Sequence, residues 1–258
     1  MRRFSIIVFA ILAALMLAWG IFVEPYRIEV THFTVQGKVD HPLKIAHLTD
    51  LHTGGVGRRE MRLLELLDQE RPDVIIITGD TLTTGFHYSR IKPLLSRLHA
   101  PLGVWLVRGN WENNAPYRDE RAFYAQLHVH FLLNEAAPIR PDVWLAGLDD
   151  PSTGTPNLDE AYFSVPQNVY TILAFHAPGF FDQAAGRAPL VLSGHTHGGQ
   201  VRIPFVPVFW LPRDSGQYLE GWYEDNGSKM YVSRGIGTST LPIRFLCRPE
   251  LTIITVAP

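Results

Sequence analysis

The sequence has very little cysteine and no excess of charge of either sign. Its 258 residues include a single cysteine, Cys247, which excludes a disulfide framework and a metal cluster built from several thiolates. Lysine and arginine number 23 against 25 aspartates and glutamates, so the formal net charge is -2. The chain therefore has no broad positive potential that would bind nucleic acid. Nucleic acid is therefore not an expected partner.

The chain also contains no internal repeat, no low-complexity tract and no G-x-S-x-G nucleophile motif. Hydrophobic residues make up 46% of the sequence and charged residues 19%, which excludes a disordered or fibrous protein. The length is sufficient for one large domain, or two small ones, with a substantial core.

The most apolar segment begins directly after Arg2 and Arg3. Residues 4–23 form an almost unbroken apolar run, and at about 1.5 Å per residue this run spans the roughly 30 Å hydrocarbon layer of a bilayer. A cleaved signal peptide usually has an apolar stretch of about 7–15 residues that ends in a small-x-small site, which residues 16–18 do not provide. The sequence predicts an uncleaved membrane anchor over residues 1–23, followed by a folded domain over residues 24–258.

The charges on either side of this segment indicate an orientation. Arg2 and Arg3 favour a cytoplasmic N-terminus, although Arg27 and Lys38 just beyond the segment reduce the asymmetry. The rest of a twin-arginine export pattern is missing around Arg2 and Arg3. We expect a single-pass protein of the cell (inner) membrane, with its folded domain outside.

Short apolar segments that end in polar, glycine-containing turns indicate β-strands. In the first part of the chain they alternate with helical patterns, and the helix at residues 60–70 has an apolar stripe through Met61, Leu64 and Leu67. The strands are expected at residues 43–48, 74–78, 104–108, 171–175 and 190–193, with further strands at 143–148, 200–203, 230–233 and 251–256 and further helices at 89–99 and 115–127. An early β-α-β half and a strand-rich late half predict packed sheets with helices outside.

Side chains that bind metals follow the first five of these strands. They are Asp50, His52, Asp80, Asn110, His176, His195 and His197. In open α/β sheets the carboxyl ends of strands border a common crevice, so we expect these side chains to lie close together. Carboxylate, amide oxygen and imidazole ligands suit Mn²⁺, Fe or Zn²⁺. Seven ligands exceed the need of one tetrahedral ion but suit two divalent ions that share a carboxylate.

These motifs, in this order, resemble the signature of the calcineurin-like metallophosphoesterases. The matching segments are Thr49-Asp50-Leu51-His52, Gly79-Asp80, Gly109-Asn110, His176 and Gly194-His195-Thr196-His197-Gly198-Gly199. The resemblance implies a four-layer α-β-β-α sandwich. It also assigns one ion to Asp50, His52 and His197, the other ion to Asn110, His176 and His195, and the bridging position to Asp80.

The C-terminal part is similar to a membrane-anchored or exported bacterial subgroup of this family, through residues 233–238 and Arg244-Phe245. That subgroup includes phosphodiesterases and a UDP-2,3-diacylglucosamine pyrophosphatase of lipid A synthesis. The resemblance implies hydrolysis of a phosphodiester or pyrophosphate bond, with a nucleotide-sugar lipid as a candidate substrate and the bilayer as a second partner. Two cations about 3.5–4 Å apart would activate a water molecule and neutralise charge in the transition state.

One position departs from the family pattern. Where the family usually reads Gly-Asn-His followed by an acid, this chain reads Gly109-Asn110-Trp111-Glu112. Indole has no proton that titrates near neutral pH, so Trp111 cannot act as a general acid. This predicts a substrate with a good leaving group, or replacement of the histidine by another residue such as His87. The Trp111 ring itself either stacks on a base or sugar of the substrate or packs beneath the metals.

Two further features bear on substrate binding. Arg108 and Arg234 lie beside metal motifs and either hold a phosphate or form salt bridges, and we include Arg234 with Trp111 among the predicted substrate-binding residues. The apolar segment at residues 203–212 contains three prolines, which disfavour a central strand. It either contacts acyl chains or the bilayer interface, or folds back onto the core.

Two alternative functions are compatible with these residues. The first is a non-catalytic, membrane-tethered binding protein in which the metals only stabilise the fold. The second is an envelope phosphodiesterase with another substrate. A metal-dependent nuclease is disfavoured by the near-neutral charge.

Overall fold

The computed structural model describes residues 2–83, 87–115, 117–208 and 210–258, and it begins with one long apolar helix. This helix, α1, spans Arg2–Phe22. Most of its apolar side chains are exposed, and the segment Phe4–Tyr26, with a mean hydropathy of 2.8, is long and apolar enough to cross a membrane. It coincides with the predicted anchor.

The C-terminal end of α1 is attached to the rest of the fold. The Gly20 carbonyl accepts a hydrogen bond from the Arg244 backbone N–H at 2.9 Å. The Trp19 indole donates to the Glu24 carboxylate at 2.9 Å, and the other oxygen of that carboxylate accepts the Cys247 backbone N–H at 2.6 Å. Because Glu24 is buried, these contacts fix the end of α1 against the segment that contains residues 244–247.

Six strands form the first sheet. They are β1 (Glu29–Gln36), β2 (Leu43–Leu48), β3 (Val74–Thr78), β4 (Val104–Val107), β5 (Val129–Leu132) and the last strand of the chain, β12 (Glu250–Ala257), in the spatial order β1-β12-β2-β3-β4-β5. Only the β12–β2 pair is antiparallel within this sheet. The carboxyl ends of β2, β3 and β4 therefore meet at one edge.

The second sheet also has six strands. They are β6 (Glu135–Arg140), β7 (Val143–Gly147), β8 (Tyr170–Ala174), β9 (Leu190–Ser193), β10 (Gly221–Asp225) and β11 (Ser228–Val232), in the order β10-β11-β9-β8-β7-β6. The four central strands, β11, β9, β8 and β7, are parallel. The carboxyl ends of β8 and β9 therefore also lie side by side.

Alternation of side chains along the strands builds three apolar layers. In β3, Ile76 points to the core between the two sheets, while Ile75 and Ile77 point to the outer face of the first sheet, and all three are fully buried. That outer face is covered by α2 (Arg58–Glu70), α3 (Tyr88–Leu95) and α5 (Glu120–Ala125). The one-turn helix α4 (Asn110–Asn113) follows β4. The outer face of the second sheet is covered by α6 (Leu158–Tyr162) and α7 (Phe181–Ala184). The predicted four-layer α-β-β-α sandwich is confirmed.

Some element predictions were wrong. No strand forms at residues 200–203, where a single bridge joins Val201 to Phe245. Gln200 has a positive φ of 54°, which takes the backbone out of the extended region at the first of these residues. The helix predicted at residues 115–127 is shorter, because its true start is set by Asp119, whose carboxylate accepts the Ala122 backbone N–H.

The buried face of α2 also differs from the prediction. Leu63, Leu66 and Leu67 are buried in the core, whereas Met61 is 44% exposed and Leu64 is only partly buried. The sequence of α2 carries two overlapping apolar stripes, and the packing of α2 on the first sheet selects the one through Leu63.

We expect Leu63→Ala to destabilise the folded state by about 2–5 kcal/mol, because it leaves a cavity in a fully packed layer. Met61→Ala, the matched control in the same helix, should change the free energy of unfolding by less than about 0.5 kcal/mol. Urea denaturation of both variants measures the difference, and an equal loss in both would show that the buried face is wrongly placed.

Candidate metal centre

Six of the seven predicted ligands come together where the carboxyl ends of the two sheets meet, and the seventh, Asn110, precedes Trp111, whose backbone N–H donates to Asp80. The strand β2 leads to Asp50 and His52, β3 to Asp80, β4 to Asn110, β8 to His176, and β9 to His195 and His197. Six of these residues form two groups whose potential ligand atoms lie within 4.8 Å of one another. The first group is Asp50, His52 and His197, and the second is Asp80, His176 and His195, and all six are buried.

The two groups adjoin at Asp80. Its Oδ2 lies 3.1 Å from the His176 Nε2 of its own group and 3.6 Å from the His52 Nε2 of the other. Within the first group, the His197 Nε2 lies 3.2 Å from the Asp50 Oδ1. A carboxylate that faces both groups occupies the position that the resemblance assigns to the bridging ligand.

The turns that carry these side chains have an uncommon backbone conformation. Five of the seven residues have a positive φ: Asp50 (51°), His52 (39°), Asp80 (54°), His195 (72°) and His197 (52°). Each such residue costs of the order of 1–3 kcal/mol unless its surroundings hold it in place. Two backbone hydrogen bonds of 3.0 Å do so here, from Asp50 N–H to the Gly79 carbonyl and from His52 N–H to the Asp80 carbonyl. The fold thus stabilises a conformation that aims the ligands inward.

Backbone carbonyls set the orientation of three imidazole rings. The Nδ1 of His52 lies 2.8 Å from the Leu82 carbonyl, and the Nδ1 of His176 lies 2.6 Å from the Thr78 carbonyl. The Nε2 of His195 lies 2.7 Å from the Arg213 carbonyl. Because a carbonyl only accepts, each of these nitrogens carries a proton, and in the neutral ring the other nitrogen presents a lone pair.

Several acceptor atoms of the centre are buried without a hydrogen-bond donor. Among the described residues, the Asp50 Oδ1 and the Asn110 Oδ1 have no hydrogen-bond partner. The Nε2 atoms of His52 and His197 face each other at 3.2 Å. Buried acceptors of this kind are costly unless a cation satisfies them. The donor set of oxygen and imidazole nitrogen therefore fits two divalent ions such as Mn²⁺, Fe or Zn²⁺.

Burial also controls the protonation of these groups. It lowers the pKa of His52 to about 3 and that of His195 to about 4, so both rings are neutral, which is the form that binds a metal. Burial raises the pKa of Asp80 to about 7. For His176, burial favours the neutral ring, but the nearby Asp80 carboxylate outweighs it and raises the pKa. A cation must therefore displace a proton held by this pair.

Sequence reasoning missed the residue that supports the bridging loop. The fully buried carboxylate of Glu112 accepts backbone N–H groups of Asp80 (2.9 Å), Thr81 (2.7 Å) and Gly109 (2.9 Å). It also accepts the Thr81 hydroxyl at 2.7 Å. These bonds join the turn after β3 to the turn after β4, so Glu112 positions Asp80. The only sequence signal for Glu112 was its position directly after Trp111, which replaces the histidine of the family pattern.

Trp111 lies at the edge of the centre. Its backbone N–H donates to the Asp80 Oδ1 at 2.9 Å, and its ring makes an edge contact with His52 at a centroid distance of 4.9 Å. The ring is partly buried against the outer core. His87 is exposed at the start of α3, and the preceding residues 84–86 lie outside the described part of the chain.

The two arginines beside the metal motifs form salt bridges. The Arg234 guanidinium lies 2.8 Å from the Glu29 carboxylate and 3.1 Å from the Glu250 carboxylate. Arg108 pairs with Glu120 and lies 3.4 Å from the Asp149 carboxylate. These contacts match the salt-bridge alternative for both residues, and binding of a phosphate by Arg234 stays a prediction.

Known proteins are similar to this chain in sequence and in fold. The model of the calcineurin-like phosphoesterase family matches residues 43–199, the stretch that contains all seven ligands. An uncharacterized metallophosphoesterase of Bacillus subtilis, YkuE, is 30% identical, and the alignment covers 91% of this chain and 87% of the relative. An uncharacterized metallophosphoesterase of Aquifex aeolicus is 29% identical, with 90% and 93% covered.

Two other similar proteins are longer than this chain. A Danio rerio protein described as a transmembrane protein with a metallophosphoesterase domain is 30% identical, over 83% of this chain and 53% of its own. The crystal structure of a 5'-nucleotidase precursor from Thermus thermophilus has a TM-score of 0.50 at 12% identity and covers 84% of this chain and 54% of that one. At that identity the likeness concerns the fold alone.

We expect Glu112→Gln to weaken metal binding by about 10- to 100-fold, as is typical for residues that support ligands. Each Glu112 oxygen accepts at least two hydrogen bonds, so the amide NH₂ group would face N–H donors in either orientation. Titration calorimetry of the metal-free protein with Mn²⁺ gives the affinity.

The matched control for this titration is Glu65→Gln, because Glu65 is exposed and contacts only Arg62 among its described ion pairs. Its Mn²⁺ affinity should equal that of the wild type. Wild-type affinity in the Glu112 variant would show that the carboxylate does not position the bridging ligand.

Proposed function

Because the chain belongs to the calcineurin-like phosphoesterase family, we propose that it hydrolyses a phosphodiester or pyrophosphate bond with two bound divalent cations. The observation that carries this proposal is the meeting of two buried His/Asp groups at Asp80. When bound, such a pair of ions supplies Lewis acidity and an activated water molecule near neutral pH. The chain itself supplies the ligands, their orientation and the exclusion of bulk water.

The ligands are held ready before a substrate arrives. The Asp50 Oδ2 accepts hydrogen bonds from the Thr49 hydroxyl and the His195 backbone N–H, both at 2.9 Å, which leaves the Oδ1 to face the cations. Carbonyl groups fix three imidazole rings, and Glu112 fixes the turn of Asp80. Preorganised ligands avoid reorganisation when charge develops in the transition state.

The proposed class of substrate follows from the chemistry of Trp111. The indole lies against His52 but has no proton to give to a departing oxygen. A substrate with a good leaving group, such as one half of a pyrophosphate, does not require that proton. UDP-2,3-diacylglucosamine is the most specific candidate in this class, and an envelope phosphodiester is the second.

We also propose that α1 is a retained anchor in the cell membrane. The hydrogen bonds from the Arg244 backbone N–H to the Gly20 carbonyl and from the Trp19 indole to Glu24 favour retention, because a chain cleaved after Gly20 would lose both of them. The Danio rerio relative is likewise described as a transmembrane protein. If the arginines at the N-terminus keep it in the cytoplasm, the folded domain lies outside and the envelope phosphodiester becomes the preferred substrate.

We expect the Mn²⁺-loaded protein to hydrolyse bis(p-nitrophenyl) phosphate and UDP-linked pyrophosphates, and to lose this activity on chelation. Rates should fall steeply as the pKa of the leaving group rises, because Trp111 cannot protonate the departing oxygen. A panel of phosphodiesters with graded leaving groups, together with metal analysis, measures both effects.

The variant Trp111→His tests the cause of that dependence within the same panel. It should raise the rates on poor leaving groups by about tenfold or more, while the matched variant Trp111→Phe should not. Equal wild-type rates on alkyl monoesters and on pyrophosphates would contradict the leaving-group argument. Bound metal without turnover on any substrate would favour the non-catalytic binding protein instead.

For the anchor, we expect the full chain, with its N-terminus intact by mass spectrometry, to stay in the membrane fraction after carbonate extraction. Protease added to spheroplasts should degrade the folded domain if it lies outside. A shortened chain in the soluble fraction would instead identify α1 as a cleaved signal sequence.

A further inference from the structure

An apolar groove of about 260 Å³ opens directly beside the metal centre. Its lining includes His197, Val201, Val208, Trp210, Leu241 and Ile243. None of the described residues that line it is an acid, a lysine or an arginine. The groove is therefore suited to an apolar group rather than to a second anionic one.

One end of the groove is the metal centre itself. His197 lines the groove and also belongs to the first ligand group, with its Nε2 3.2 Å from the Asp50 Oδ1. The next part of the wall depends on Gly199, which has a positive φ of 79°. A Cβ atom at Gly199 would lie 2.8 Å from a methyl group of Val208, so glycine allows the two walls to approach.

The other end of the groove lies at the base of α1. Ile243 lines the groove, and a Cβ atom added at Gly20 of α1 would lie 3.0 Å from its side chain. The rim carries Trp210 and Leu241, each 62% exposed. The groove thus joins the metal ligands to the end of the one described helix that is long enough to cross a bilayer.

One polar side chain of the groove, Gln200, already has hydrogen-bond partners within the protein. The Gln200 amide NH₂ donates to the carbonyls of Ser239 (3.1 Å) and Leu241 (3.0 Å), and its oxygen accepts the Ser239 backbone N–H at 2.8 Å. The amide therefore connects the two walls instead of offering hydrogen bonds to a ligand. What remains for a ligand is mainly hydrocarbon surface.

We propose that this groove binds one hydrocarbon chain of a lipid substrate whose phosphoryl group lies at the metal centre. The proposal deepens the proposed function and rests on it for the position of the phosphoryl group. A ligand that is apolar at one end and phosphorylated at the other matches a groove that is lined by Trp210 and Leu241 and also by His197 of the first ligand group. Such a lipid reaches the site from the bilayer without leaving an apolar environment.

The first test measures kcat/KM of the full chain in nanodiscs on p-nitrophenyl alkyl phosphodiesters, with the alkyl group lengthened from ethyl to decyl. The leaving group stays p-nitrophenol throughout, so only binding of the chain varies. We expect kcat/KM to rise by about tenfold or more over the series, since each buried methylene is worth up to about fourfold. Leu241→Asn should flatten this rise to less than about threefold.

Two exposed phenylalanines provide matched controls. Phe205 is fully exposed in the neighbouring apolar loop but does not line the groove, and Phe163 is exposed at the end of α6. Phe205→Asn and Phe163→Asn should keep the wild-type dependence on chain length. A loss in Phe205→Asn equal to that in Leu241→Asn would overturn the proposal in favour of simple contact of the loop with the bilayer.

The second test does not need activity. Dodecyl phosphate with a photoreactive diazirine at the chain end is irradiated with the metal-free full chain, and the labelled residues are found by mass spectrometry. Labels at residues 201, 208, 210 and 241–243 support the groove, and labels confined to α1 overturn it. If no substrate is hydrolysed while these labels appear, the proposed activity fails and the groove stands.

Discussion

The structure depends on the burial of two carboxylates among imidazole lone pairs. Asp50 and Asp80 lie in a water-excluded space, and the nearest side-chain nitrogens, those of His52, His176 and His197, point at them. Without cations this arrangement leaves acceptors unsatisfied and ligands competing for a proton. Cations resolve both problems, so the positive φ values, the fixed rings and the buried Glu112 all serve one purpose. The positive φ values and the unsatisfied buried acceptors lower the stability of the metal-free fold, and bound cations would offset this cost.

The sequence predicted that these side chains lie close together because their positions follow from topology. A polar residue directly after a buried parallel strand falls at the common edge of the sheet, and this places Asp50, Asp80 and His176 without knowledge of any contact. The supporting contacts follow from three-dimensional proximity instead. The carbonyl of Arg213 that orients His195 is 18 residues away in a loop without a motif. The choice of Leu63 over Met61 likewise depends on how α2 lies on its sheet.

The N-terminal helix and the metal centre belong to one continuous side of the molecule. Gly20 contacts Ile243 and Arg244, and Ile243 and His197 both line the groove. The proposed anchor and the candidate metal centre are thereby connected through a small number of contacts between described residues. This connection is the basis for proposing a substrate that comes from a lipid surface.

The most direct measurement of the central claim is anomalous diffraction from crystals of the protein grown with Mn²⁺. We expect two manganese peaks about 3.5–4 Å apart with the Asp80 carboxylate between them. One peak should be bordered by Asp50, His52 and His197, and the other by His176 and His195, together with Asn110 as the family resemblance implies. A single peak, or manganese bound away from Asp80, would contradict the central claim.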